Sequence, residues 1–170
     1  MDFLKLAESR FSVRAFSDRK VEKDVIEKIL RAGQLAPTAC NFQPQRIMVL
    51  ESEEALAKLR KCTRSHFGAP LAMLVCHDRD VCWTREYDGK PSGDIDASIV
   101  CTHMMLEAAE LGLGSCWVGW FAEDEVKAAL GLPDGIRVCD LLPIGYPAEN
   151  AAPSRMHTDC RSLEETVEYI

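Results

Sequence analysis

Apolar and polar positions along the chain alternate with two different periods. In "VEKDVIEKILRAGQLAP", Val25, Ile26, Ile29 and Leu30 recur at helical spacing, while Glu22, Lys23, Glu27, Lys28 and Arg31 cover the opposite face. The pattern predicts an amphipathic helix from Glu22 to Leu35. Pro37 ends it, because a residue before proline avoids helical geometry. Further helices are predicted over 2–9, 52–64 and Glu123–Leu130. Short apolar runs bounded by turn residues read as buried strands: Arg46–Leu50, Leu71–His77, "SCWVGWF" and "IRVCDLLPIGYP". Residues 79–93 are polar, aromatic and turn-rich, and read as a loop or partly ordered lid.

The segment from Asp94 to Leu111 differs from the other helices. Asp94 has the chemistry of an N-cap. Asp96, His103, Glu107 and Glu110 form one narrow polar stripe, and nearly everything else is apolar. A helix apolar over most of its circumference must be buried on several sides. One small core does not provide that, so a second copy of the chain is expected against it. The tail, 148–170, is long for a terminus, and "LEETVEYI" has the residue types of an added strand. Helices and strands mix without regular alternation, which indicates an α+β fold rather than a doubly wound sheet.

A length of 170 residues fits a single domain, 1–170. The net charge of -7, with no basic block, argues against general nucleic-acid binding. No apolar run approaches the ~20 residues that span a bilayer, and "MDFLKLAESRF" lacks a secretory h-region. A cytoplasmic protein without membrane association is expected. The eight cysteines include no C-x-x-C pair, so reduced, mostly buried thiols are expected rather than a metal site or a thiol-redox centre.

Candidate chemistry lies in three places. Gly112-Leu113-Gly114 is no dinucleotide fingerprint: Trp117 occupies the third glycine position, and the order is helix then strand. Gly112 and Gly114 suit a helix C-cap and a tight turn. Gly119, inside a strand-like run, marks a possible close approach by a ligand or another backbone. "ESRFSVRAF" sets Arg10, Ser12 and Arg14 on alternate residues. In an extended segment they face one side, with the arginine backbones roughly 13 Å apart, a spacing for a ligand anionic at both ends. A charged solvent-facing edge would carry the same string. "APTACNFQPQ" offers hydroxyl and amide groups able to pair with a planar heterocycle, or simply joins a helix to a strand. The four histidines have no metal-ligand spacing, and no catalytic acid or base stands out, an absence that fits any reaction in which a cofactor carries the chemistry.

"SRFSVRAF", "APTACNFQPQRIMVL", "MMLEAAELGLGSCWVGWF" and "LLPIGYPAEN", in this order, resemble the nitroreductase family of FMN-dependent oxidoreductases. The resemblance is to its small members and covers nearly the whole chain. It implies a central, mainly antiparallel sheet flanked by helices, in a homodimer that exchanges C-terminal strands through the 148–170 extension. It implies FMN sites at the subunit interface, with NAD(P)H as reductant and nitroaromatics or quinones as acceptors in a ping-pong cycle. By position, Arg10 and Ser12, with Phe11 between them, would hold the phosphate and ribityl end, and Arg14 the pyrimidine side. Pro37, Thr38, Asn41 and Gln43 would come from the partner chain. Trp117, Val118 and Gly119 would run beside the ring, with no catalytic side chain needed. Arg161 would help bind phosphate, although "CRSLEE" has one basic residue where relatives have a pair, and Gln45 stands where relatives have tryptophan. These departures keep open a flavin-binding or flavin-sensing protein with little turnover. Arg79 or Arg85 could read the extra phosphate of NADPH, or be solvated surface.

Overall fold

The computed structural model describes residues 2–170. Four strands, β1 (Gln45–Leu50), β2 (Leu71–Asp78), β3 (Gly114–Ser115) and β4 (Ile136–Gly145), form one sheet in the order β1-β2-β4-β3. Every pairing among these strands is antiparallel. The helices α1 (Phe3–Ser9), α2 (Lys23–Leu35), α3 (Glu53–Cys62), α4 (Gly93–Glu110), α5 (Glu123–Leu130) and α6 (Leu163–Thr166) accompany it. The α+β class expected from the element order is the class observed.

β2 is central and buried from Leu71 to His77, which is why its sequence reads as a continuous apolar run. On one face Met73, Val75, Leu142 and Ile144 pack against Ile29 of α2 and Val100 and Met104 of α4. On the other, Leu74 and Leu141 pack with Leu56 and Leu59 of α3 and Val126 of α5. Each such fully buried side chain contributes about 1.5–3 kcal/mol. α2 approaches α4 closely because Gly33 faces Met104, whose Sδ would lie 2.9 Å from any Cβ placed there. No helix among the described residues is long and apolar enough to cross a membrane.

Two features of this frame position the candidate site. α4, at 18 residues, is about 27 Å long. Its N-terminus lies beside His77 at one end of the sheet, and its C-terminus turns through Gly112 (φ +78°) into β3 at the other. The second feature is a bulge: Val75 pairs with Asp140 but Cys76 pairs with Val138, leaving Cys139 as the extra residue. The bulge brings Cys139 to Asp94 of α4, with the thiol donating to Oδ1 at 3.4 Å. One residue further along the strand, Asp140 accepts from Trp117.

Two expectations are corrected, and the tail takes its own form in the single chain. Asp94 is not the N-cap of α4; Ser92 holds that position, and the Asp94 carboxylate instead meets His77 Nε2 at 3.1 Å and Arg137 at 3.6 Å. "SCWVGWF" is not a continuous strand: Gly114–Ser115 pair with β4, a single bridge follows at Val118↔Leu141, and the chain then bends away. "LEETVEYI" is not a strand in the single chain. Leu163–Thr166 form a helical turn closed by a Ser162/Glu165 capping box, and Val167–Ile170 extend into solvent.

Candidate active site

The N-terminal segment docks on the free edge of β3. Ser12 bridges Ser115 in parallel, and Val13 N–H donates to the Ser115 carbonyl at 2.9 Å. Val13 is the anchor, 2% exposed, and it packs where Gly114 has no side chain: a Cβ on Gly114 would lie 2.5 Å from Val13 Cγ2. With Val13 turned inward, its neighbours on alternate positions face the other way. Arg10 and Ser12 are half-buried and Arg14 is exposed. The Arg14 guanidinium folds back on the Ser12 carbonyl at 3.2 Å and stands 5.9 Å from the Phe67 ring centre. The buried Cys116 thiol lies against this group. Burial pushes it up, while Arg14, a hydrogen bond with Ser12, and Arg10 pull the other way. Both arginines therefore act electrostatically on one spot.

The run after β3 continues this edge. Val118 exchanges two hydrogen bonds with Leu141, both 2.9 Å, and Cys116 donates to Pro143. In antiparallel pairing the flanking residues then direct their N–H groups away from the partner strand. For Trp117 and Gly119 that is the open edge. Both are exposed, and a Cβ at Gly119 would meet nothing within 4 Å. The protein's own packing therefore does not require glycine there. A ligand lying flat against the edge would. Trp117 is fixed by its indole N–H, which donates to Asp140 Oδ1 at 2.6 Å. Burial raises Asp140, opposed by the Trp117 bond and reinforced by the Asp94 charge. Its Oδ2 is buried without a partner.

The loop of Pro37, Thr38, Asn41 and Gln43 holds three of the four non-glycine residues with positive φ among the described residues. Cys40, Asn41 and Gln43 all have positive φ, at 49°, 56° and 50°. Non-glycine residues in this region are uncommon, and they persist where surrounding structure enforces them. Here Thr38 Oγ1 accepts from Gln43 N–H at 3.1 Å, and Ala39 N–H donates to Asp96 Oδ1 at 2.9 Å. Asp96, 2% exposed, also accepts from Ser92 Oγ at 2.7 Å. Asp96 thus does not belong to a solvated stripe of α4; it clamps the loop to the helix. The clamp presents Asn41 and Gln43 to solvent.

Within one chain the two halves do not meet. The loop leads into β1 at the His77 end of the sheet, and Arg10–Arg14 lie beyond β3 at the Leu71 end. Four strand spacings across and six residues along separate them by roughly 25–30 Å. Arg161 joins neither half: it is exposed and donates only to the Glu165 carbonyl of its own turn, at 3.4 Å. The tail does touch the first half through His157, whose Nε2 is 3.1 Å from the Glu8 carbonyl and whose ring meets Phe11 edge-on at 6.2 Å.

The sequence reading missed Asp96, Asp140 and Phe67, each of which acts on a candidate residue through contacts distant in sequence. Arg85, considered for phosphate recognition, is paired with Asp88 at 2.6 Å inside its own loop. Another polar group outside the site is His77, Asp94 and Cys139, whose ligand-type atoms lie within 4.8 Å of one another, with Arg137 against the carboxylate.

Comparison with known proteins assigns this antiparallel α+β fold to a family. The Nitroreductase family model matches residues 7–75 and 65–146. The chain belongs to the nitroreductase family, a class of oxidoreductases. A protein of Archaeoglobus fulgidus provisionally named NADH dehydrogenase/NAD(P)H nitroreductase is 34% identical over 155 residues, 86% of each chain. The crystal structure of a nitroreductase family protein from Clostridium difficile 630 superposes with a TM-score of 0.93 at 45% identity, covering 99% of this chain and 98% of that one. A protein of Clostridium difficile R20291, described as an FMN-dependent nitroreductase, gives 0.82 at 27% identity, covering 98% of both.

Proposed function

We propose that this chain is the subunit of a homodimeric, FMN-dependent NAD(P)H oxidoreductase of the cytoplasm. It forms a single domain, 1–170, and passes electrons to a nitroaromatic, quinone or related small acceptor. The observation that carries this reading is the separation of the loop 37–43 from Arg10–Arg14, which lie at opposite ends of α4. A twofold axis near the middle of α4 would set a second copy's α4 antiparallel to it. The second copy's strained loop would then fall on this chain's Arg10–Gly119 edge. The exposed surface of α4 suits such a contact: Ile95 is 53% exposed, and Asp94, Ile95, Ser98, Ile99, Thr102 and Trp117 line a depression of about 390 Å³. The exposed Leu163, Val167 and Ile170 of the 148–170 extension would be covered by the same partner.

The residues present fit FMN. Arg10 and Ser12 supply a cation and a hydroxyl for a phosphate and ribityl chain. Arg14 places a fixed positive charge at the pyrimidine end, and the outward N–H of Gly119 offers a donor with room for a flat ring against it. Pro37, Thr38, Asn41 and Gln43 of the second copy would close the ring's other side. Arg161 would reach the phosphate only after the tail rearranges on the partner. Bound FMN would supply the redox chemistry, accepting hydride from NAD(P)H and then reducing the acceptor in a ping-pong cycle. Being named as NAD(P)H nitroreductases or FMN-dependent enzymes, the relatives support this reading.

Purified protein reconstituted with FMN and mixed with NADH and NADPH in a stopped-flow instrument tests it. Loss of the oxidised-flavin absorbance, restored by a quinone, is expected. A protein that takes up no flavin refutes the proposal. A bound flavin that stays oxidised with both nucleotides would instead indicate a flavin-binding or flavin-sensing protein.

A further inference from the structure

The chain is acidic overall, yet Arg60, Lys61 and Arg64 stand together at the end of α3. They rim an open cavity of about 800 Å³ whose far wall is Trp120, Phe121 and Ala122. Thr63 Oγ1 joins the two walls by donating to the Trp120 carbonyl at 2.9 Å. The cavity adjoins the candidate flavin edge, because Trp120 directly follows Gly119, and Phe67, three residues past Arg64, faces Arg14.

The three cations are not equivalent. Arg60 is engaged with Glu53 along α3. Lys61 lies in the last turn of α3, where a cation favours the helix C-terminus. Arg64 lies beyond the helix and has no such role. It is exposed, and none of the described residues pairs with its side chain or with that of Lys61. On the neighbouring helix α5, the Glu125 carbonyl faces Cys62, and its charge helps raise that thiol, after burial. Opposite the cations, Trp120 is 87% exposed, so its indole buries almost nothing of this chain.

A planar guanidinium and an ammonium suit a phosphate monoester, and an exposed indole suits a stacked base. A dinucleotide with a phosphorylated adenosine at one terminus would fill both while its nicotinamide terminus reaches Gly119. We infer that the cavity between the end of α3 and Trp120 takes the adenosine 2′-phosphate of NADPH and makes NADPH the preferred reductant. This rests on the NAD(P)H oxidoreductase reading above. NADH differs only in lacking that phosphate, so Arg64 and Lys61 act as specificity residues.

The test compares kcat/KM for NADPH and NADH on the FMN-loaded protein, with one quinone acceptor, for wild type, Arg64→Ala and Lys61→Ala. Flavin content is read from absorbance in each. Wild type is expected to prefer NADPH, and Arg64→Ala to lower the NADPH/NADH ratio by about tenfold or more through the KM for NADPH, with a smaller fall for Lys61→Ala. Adenosine 2′,5′-bisphosphate should inhibit wild type competitively against NADPH, and Arg64→Ala more weakly. A wild type without NADPH preference, or ratios unchanged in both variants, overturns the inference alone. A KM change confined to the acceptor also overturns it. Flavin reduced by neither nucleotide overturns the parent reading with it.

Discussion

Replacing Asp96 with alanine tests whether the candidate site depends on one buried carboxylate. The change strands two donors, the Ala39 N–H at 2.9 Å and the Ser92 hydroxyl at 2.7 Å. Hydrogen bonds to a charged group are worth about 1.5–3 kcal/mol each, so the loss should be about 3–6 kcal/mol. For a domain of this size each kcal/mol lowers Tm by about 2–4 °C, which gives a fall of about 6–24 °C. The loop released is the one holding Cys40, Asn41 and Gln43 at positive φ, so relaxation there should cost cofactor as well as stability. The assays are a thermal melt of flavin-free protein at fixed protomer concentration and an FMN titration by fluorescence quenching. Asp96→Asn keeps an acceptor oxygen and should retain about half the stability. A melt of Asp96→Ala within ~2 °C of wild type would refute the clamp. Equal losses for Asn and Ala would show that charge, rather than the two bonds, holds the loop.

Other expectations separate folding from binding. Gly119→Ala should melt like wild type, since its Cβ meets nothing, yet bind FMN more weakly; equal affinity in an FMN titration would remove the ligand explanation for that glycine. Arg10→Ala should weaken FMN retention about tenfold. Arg14→Ala should in addition lower the flavin's reduction potential, and an unchanged potential in redox titration would contradict the division of roles. Asp140 has its carboxyl raised by burial, so the folded state holds this proton to higher pH than the unfolded chain does. Its contribution to stability is therefore present at low pH and lost as pH rises through the raised folded value. Asp140→Asn keeps the acceptor for Trp117 and should gain stability over wild type as pH rises above the ordinary carboxylate range; melts showing no pH-dependent gain would refute this.

What the sequence revealed depended on whether a residue's partner lay within its own element. α2 and β2 were legible because a helical stripe and a continuous apolar run are local patterns. Asp96 was misread because helical periodicity places it beside His103 and Glu107, and cannot register the loop that covers it. Asp94 was taken for a cap because its true partners, His77, Cys139 and Arg137, come from two strands and meet it through a bulge with no sequence marker. "LEETVEYI" has the residue types of a strand, but in the single chain its first four residues close a capped helical turn and 163–170 pair with no strand. Arg10, Ser12 and Arg14 were visible by spacing alone. What the spacing could not show is the anchor of the segment, Val13 seated on Gly114, a contact a hundred residues away in sequence.

In the proposed homodimer, the separation of the loop 37–43 from Arg10–Arg14 along α4 has a genetic consequence. Arg10→Ala and Asn41→Ala would each damage both sites of their own homodimers. In a mixed dimer, one site would inherit both defects and the other neither. Two crippled alleles expressed together should therefore complement each other. Random reassortment of equal amounts would restore about a quarter of the sites to full strength. A site contained within one chain would gain nothing from the mixture.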